Sequence, residues 1–127
     1  MALVTIVILL ALIEYMVFGG FVGWARSKYG VKAPATSGHE VFERYFRVHM
    51  NTLENLIIFI PSMLAFAHFV HALLAAGLGL IFIAGRVVYF RGYIKEPKAR
   101  HLGSLLSSIP MIILLLGGLG GAIVALF

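Results

Sequence analysis

The run Phe42-Glu43-Arg44-Tyr45-Phe46-Arg47-Val48-His49-Met50-Asn51-Thr52-Leu53-Glu54-Asn55 is amphipathic, and the stretch that follows it to Val70 carries no Lys, Arg, Asp or Glu. At about 100° per residue, Glu40, Glu43, Arg44, Arg47, Asn51 and Glu54 fall on one face of a helix. One helix from near Ser37–Glu40 to about Val70 therefore starts polar and ends apolar. At about 1.5 Å per residue it is longer than a hydrocarbon layer of about 30 Å. Its start is expected to project into water and its second half to cross a membrane, with a kink at Pro61.

The rest of the chain agrees with a membrane setting. Of its 127 residues, 61% are hydrophobic and 12% charged, against about 45–50% and about 25% in soluble domains. That balance excludes a soluble globular protein, and excludes disorder more firmly. The length implies a single domain, 1–127, and hydropathy divides it into four spans at about 3–25, 40–70, 72–93 and 102–126. The loop Ala33-Pro34-Ala35-Thr36-Ser37-Gly38, a short turn at His68–His71 and the break Lys95-Glu96-Pro97-Lys98 separate them. No positive charge precedes the first span, and it is longer than a signal-peptide core, so it is expected to stay as a membrane helix. The expected fold is an all-α integral membrane protein, a four-transmembrane-helix bundle. Gly117-Gly118 and Gly120-Gly121 in the fourth span would let backbones approach closely.

All ten Lys and Arg residues lie within Arg26–Arg47 and Arg86–Arg100. These segments hold the 1–2 and 3–4 connections, and the positive-inside rule places them on the cytoplasmic side. The net charge of +5 thus sits between apolar runs rather than over a solvated domain, and nucleic acid is not an expected partner. The chain has no cysteine, so it has no disulfide, thiolate metal site or cysteine nucleophile, and any thiol must arrive with a substrate. The five histidines show no ligand spacing beyond His68 and His71, and no metal is expected.

Arg47, Asn51 and Glu54 at i, i+4 and i+7 stack along the polar face of the second helix. They read either as a structural network of ion pairs, Glu43–Arg47 and Arg47–Glu54, or as groups converging on a polar ligand. Arginine offers a planar fork for a carboxylate, and glutamate can receive an ammonium group. His49 points the opposite way and reads alone as an interface or core histidine. On the third helix, Arg86, Tyr89 and Tyr93 share a face at i, i+3 and i+7. Arg86 lies about two turns inside its span and needs a partner there; Glu54 is the expected one if helices two and three are antiparallel. Arg100 starts the fourth span. Arg26 closes the first and reads also as a positive-inside anchor, while Arg91, Lys95 and Lys98 read as headgroup charges.

Taken together, Phe42-Glu43-Arg44 through Arg47-x-x-x-Asn51-x-x-Glu54, with Arg86-x-x-Tyr89-x-x-x-Tyr93 and then Arg100, resembles the signature of the MAPEG family, membrane-associated proteins in eicosanoid and glutathione metabolism. The resemblance covers essentially the whole chain. It implies a homotrimer with glutathione, as co-substrate, bound between subunits. By resemblance, Arg47, Asn51, Glu54 and Tyr93 would hold glutathione with Tyr89 beside them, and Arg86 would belong to the same polar cluster. Arg26 and His49 would come from the adjacent subunit, and Arg100 would face the glutathione sulfur as the catalytic residue. The leukotriene C synthase branch has a tyrosine where this chain has Asn55 and an arginine where it has Ser27. Lys28 is near enough to replace that arginine. The Glu54-Asn55 pair is more similar to the microsomal glutathione transferase branch.

The expected activity is therefore glutathione transfer to hydrophobic electrophiles or lipids, with a possible lipid-hydroperoxide peroxidase activity. Two alternatives are a non-catalytic lipid-binding protein of the same kind, and a small multidrug exporter that relies on Glu14 in the first helix.

Overall fold

The computed structural model describes residues 1–127 as four long helices: α1 (Ala2–Tyr29), α2 (Glu40–Phe69), α3 (Ala72–Lys95) and α4 (His101–Val124), with a 3₁₀ turn at Pro97–Arg100 before α4. All four are long and apolar enough to cross a membrane. Their ends follow from local chemistry. α1 stops at Gly30, which takes the left-handed conformation (φ 70°), and the Val31 N–H donates back to the Arg26 carbonyl at 3.1 Å. At the start of α2, His39 Nδ1 accepts from the Val41 N–H (3.1 Å); His71 Nδ1 does the same for Leu74 (3.2 Å) at the start of α3.

α1 runs past Trp24 to Tyr29, so Arg26 and Lys28 sit on its last helical turn rather than in the connection. Cations are favourable there because they meet the negative end of the helix dipole. α2 is continuous through Pro61. α3 extends through Tyr93 to Lys95, and the Arg44 side chain explains how its end is satisfied. Arg44 Nη1 donates to the carbonyls of Ile94 (3.0 Å) and Lys95 (3.2 Å), while Nη2 pairs with Glu40 at 2.8 Å. Arg44 is thus a cross-helix cap for α3, not a pocket group. Arg44→Ala should lower the stability of the solubilised protein by about 1–3 kcal/mol, the usual worth of hydrogen bonds to a charged group. Thermal unfolding in detergent measures it.

α2 and α3 form the central pair, and α1 and α4 each pack against both. The large core contains Val4, Val7, Leu56, Phe66 and Leu114, with the Phe59 and Phe82 rings stacked at 4.0 Å. It fills the end of the bundle near the α2–α3 turn. A small cluster of Val22, Ala25, Val31 and Phe42 closes the opposite end. Outward faces carry exposed Ile13, Met16, Ile57, Leu73 and Leu116; such a surface is suited to hydrocarbon and would aggregate in water. Close helix contact depends on glycine. A Cβ on Gly117, Gly118 or Gly121 would press against α2, whereas one on Gly120 would meet nothing within 4 Å. The α3–α4 contact is tighter still: a Cβ on Gly103 would collide with the backbone of Tyr89, and one on Gly85 would lie 2.6 Å from the Leu106 backbone.

Candidate functional site

Near the α3–α4 connection the bundle opens into a polar cavity of about 450 Å³. α2 contributes Arg47, Asn51 and Asn55, α3 contributes Arg86, Tyr89 and Tyr93, the 3₁₀ turn contributes Arg100, and α4 contributes Ser104 and Ser108. The four-residue spacing on α2 and α4, and the three- and four-residue steps on α3, turn each set toward the common space.

The cavity wall is knitted from within. Arg86 is 1% exposed. Its Nη2 donates to Asn51 Oδ1 at 2.7 Å and to Thr52 Oγ1 at 3.0 Å, and its guanidinium stacks 4.2 Å from the Tyr89 ring centre. Asn55 Nδ2 donates to the same Asn51 Oδ1 (3.1 Å) and to the Asn51 carbonyl (2.8 Å). Asn51 therefore has its oxygen fully engaged and its Nδ2 free to donate. At the mouth, Arg47 Nη2 pairs with Glu54 at 3.1 Å, with both side chains about half exposed (48% and 58%). A pair so exposed contributes about 0–1 kcal/mol, so an incoming carboxylate can take Arg47 over at small cost. Arg100 Nη1 donates to the Pro97 carbonyl at 2.7 Å, which anchors the guanidinium at the start of α4. Three arginines and no carboxylate line the space. It suits an anionic, hydrogen-bonding ligand.

The MAPEG family model matches residues 3–120. The chain belongs to the MAPEG family. Among its relatives, an uncharacterized protein of Synechocystis sp. is 44% identical over 110 residues, 87% of this chain and 80% of that protein. Microsomal glutathione S-transferase 2 of Homo sapiens is 42% identical over 100 residues, 78% of this chain and 68% of the relative. Leukotriene C4 synthase of Rattus norvegicus is 34% identical over 99 residues, 78% of this chain and 66% of the relative. Membership in this membrane family, with four candidate spans, makes the chain an integral multi-pass membrane protein. It also displaces the small-exporter reading. Glu14 lines none of the cavities.

In this MAPEG chain, Arg47, Asn51, Arg86, Tyr89, Tyr93 and Arg100 line one cavity, with Glu54 tied to Arg47 at its edge. Two expected pairs do not form. Glu54 does not reach Arg86, because α2 turns Asn51 and Thr52 toward α3 and leaves Glu54 on its exposed side. Glu43 does not pair with Arg47; it accepts from the Gly38 N–H at 3.3 Å. Arg26 and His49 lie outside the cavity. Arg26 Nη1 donates to the carbonyls of Ala35 (2.7 Å) and Val31 (3.3 Å), and its guanidinium covers Phe42. His49 stacks on Tyr15, with ring centres 4.3 Å apart. Lys28 lies over the Trp24 and Tyr29 rings of its own helix.

Asn55, Ser104 and Ser108 were not singled out as site residues by their sequence. The signal was present: Arg100, Ser104 and Ser108 repeat at four-residue steps at the start of a span read for its hydropathy and its glycine pairs. Ser107, by contrast, is buried and donates to the Gly103 carbonyl at 2.6 Å, a local helix bond.

Proposed function

We propose that the chain is a membrane-bound glutathione S-transferase, working as a homotrimer, that joins the glutathione thiolate to hydrophobic electrophiles. The observation that carries this reading is the convergence of Arg47, Arg86 and Arg100, from three different membrane helices, on one polar cavity. Its microsomal glutathione S-transferase relatives give the same direction. Glutathione has two carboxylates, one ammonium group and a thiol. In this reading Arg47 receives a carboxylate, Glu54 the ammonium, and Asn51 Nδ2 and Tyr93 donate to the peptide portion. Tyr89 and Arg86 form the wall behind them. Arg26 and His49 complete the site from the neighbouring subunit.

The nucleophile must be the thiolate, and a free thiol titrates at about 8.5. Arg100 at the sulfur favours the anion, and it stays protonated throughout, so it cannot return the proton. The proton leaves to water. The sulfur then attacks the electrophilic carbon, a C–S bond forms, and a leaving group such as chloride departs with its electron pair. With a lipid hydroperoxide the same thiolate attacks the terminal oxygen, the O–O bond breaks, and the lipid leaves as an alkoxide that takes a proton from water to become the alcohol. The resulting glutathione sulfenic acid condenses with a second glutathione to give the disulfide and water. Entry of the apolar substrate from the lipid raises its local concentration beside the sulfur. The basic connections, and with them the cavity mouth, are placed on the cytoplasmic side.

The test is purified, detergent-solubilised protein given glutathione and 1-chloro-2,4-dinitrobenzene. The expected result is conjugate formation together with a glutathione-dependent ultraviolet thiolate band. Lipid binding without turnover would replace this reading with the non-catalytic one.

A further inference from the structure

α1 contributes no side chain to the cavity, yet it carries one ionisable group on its inward stripe. The buried positions Val7, Ala11, Phe18, Val22 and Ala25 follow helical spacing, and Glu14 falls in step between Ala11 and Phe18. Both carboxylate oxygens of Glu14 are buried without a hydrogen-bond partner in the subunit. Across from it, the Arg86 Nε is also buried and unpartnered, while Nη2 is occupied by Asn51 and Thr52. α1 lies along α3 with Val7 against Gly79 and Phe18 against Tyr89, which sets Glu14 level with Arg86 between those two contacts. A carboxyl group and a guanidinium nitrogen thus stand at one level of an apolar interior, both with unused bonding capacity. Buried polar groups are satisfied in nearly all native structures. A carboxyl group that meets the Nε–H through one bridging water satisfies both.

We infer that Glu14 is a positioning residue for the cavity: it fixes Arg86 through Nε, and through Arg86 it fixes Asn51. The relay is short. Arg86 Nη2 and Asn55 Nδ2 both hold Asn51 Oδ1, and this orientation presents Asn51 Nδ2 as the donor for a ligand. Without the carboxylate, the guanidinium keeps only its Nη2 bonds and its stack on Tyr89, and it can turn toward the anion-binding space. Asn51 then loses its fixed amide orientation. A helix that lines no part of its own chain's cavity thereby sets the ligand geometry. Packing alone gives no reason for an ionisable side chain at this position, since an apolar residue would continue the stripe.

This inference rests on the glutathione reading for one of its two readouts, so the experiment uses both. In full-length protein labelled with ¹⁵N-arginine, the Arg86 Nε–H resonance, assigned by its loss in Arg86→Lys, is followed without glutathione. In Glu14→Gln it should shift and exchange with solvent at least tenfold faster. In conjugation assays, Glu14→Gln should raise the KM for glutathione about tenfold with kcat within twofold, whereas Glu14→Asp, which keeps the carboxyl group, should recover most of the affinity. A purely structural role would lower thermal stability and leave KM and the arginine signal alone. An unchanged Nε–H signal together with an unchanged KM overturns the inference. If wild-type protein binds no glutathione, the function proposed above fails and the Nε–H signal decides this inference alone. If Glu14→Gln does not fold, Glu14→Asp should still displace that signal, and an unmoved signal there overturns it equally.

Discussion

Arg100→Ala should remove most of the thiolate band of bound glutathione while leaving glutathione bound. Arg100 stands at the start of α4, fixed by its bond to the Pro97 carbonyl, and is separate from the Arg86–Asn51–Asn55 network. Its loss should therefore not disturb the groups that grip the peptide portion. A cation at hydrogen-bond distance in a partly dry site lowers a thiol pKa by about one to two units, each worth about 1.36 kcal/mol. At pH 7 a thiol titrating at about 8.5 is roughly 3% ionised; lowered by one to two units it is about a quarter to three quarters ionised. Conjugation at neutral pH should fall about tenfold or more. The pH dependence gives the sign. The cation depresses the thiol pKa, so its contribution is present at neutral pH and disappears at high pH, where the thiol ionises unaided. The rising limb of the variant's pH profile should move up by about one to two units, and its rate should approach wild type above about pH 9. A variant that keeps the neutral-pH thiolate band, or a rate deficit that persists undiminished at high pH, would remove Arg100 from the sulfur.

Gly103→Ala should be the most damaging single methyl in the molecule. A Cβ there meets the main chain of Tyr89 and not a flexible side chain, so no rotamer change relieves it. α4 must move away from α3, and with it Arg100, Ser104 and Ser108 leave Tyr89 and Tyr93. Overpacking usually costs about 1–3 kcal/mol, occasionally more, and contact with rigid backbone puts this site at the upper end. The expected outcome is a large fall in thermal stability and loss of glutathione binding. Gly120→Ala is the control: nothing lies within 4 Å of its added Cβ, and it should behave as wild type. Equal melting temperatures for the two variants would show that the α3–α4 approach is not limiting.

The hydrophobic division of the chain is legible without a structure because each apolar run is long and each break is polar or contains Pro or Gly. The residues of the cavity are legible too, since helical spacing alone places Arg47 with Asn51 and Arg86 with Tyr89 and Tyr93. What spacing does not supply is the rotation of one helix against another. Glu54 and Asn51 share a face of α2, but only the rotation decides that Asn51 meets Arg86 while Glu54 turns to Arg47. Arg44 shows the same gap. It belongs to the polar stripe by angle, yet the end of α3 lies close enough to draw it into capping. Ser104 and Ser108 escaped because a hydroxyl barely changes the hydropathy of a span, although their step from Arg100 was in view. Arg26 and His49 do not line the cavity, and neither helical spacing nor the fold of one chain brings them to it.

The position of the Phe59–Phe82 stack has a consequence for traffic. The cavity enters the bundle from the end that holds the α3–α4 connection, and the dense apolar plug built around that stack closes the other end. The chamber is a cul-de-sac and not a conduit. A charged molecule that comes in from the aqueous phase must go back out by the end it entered.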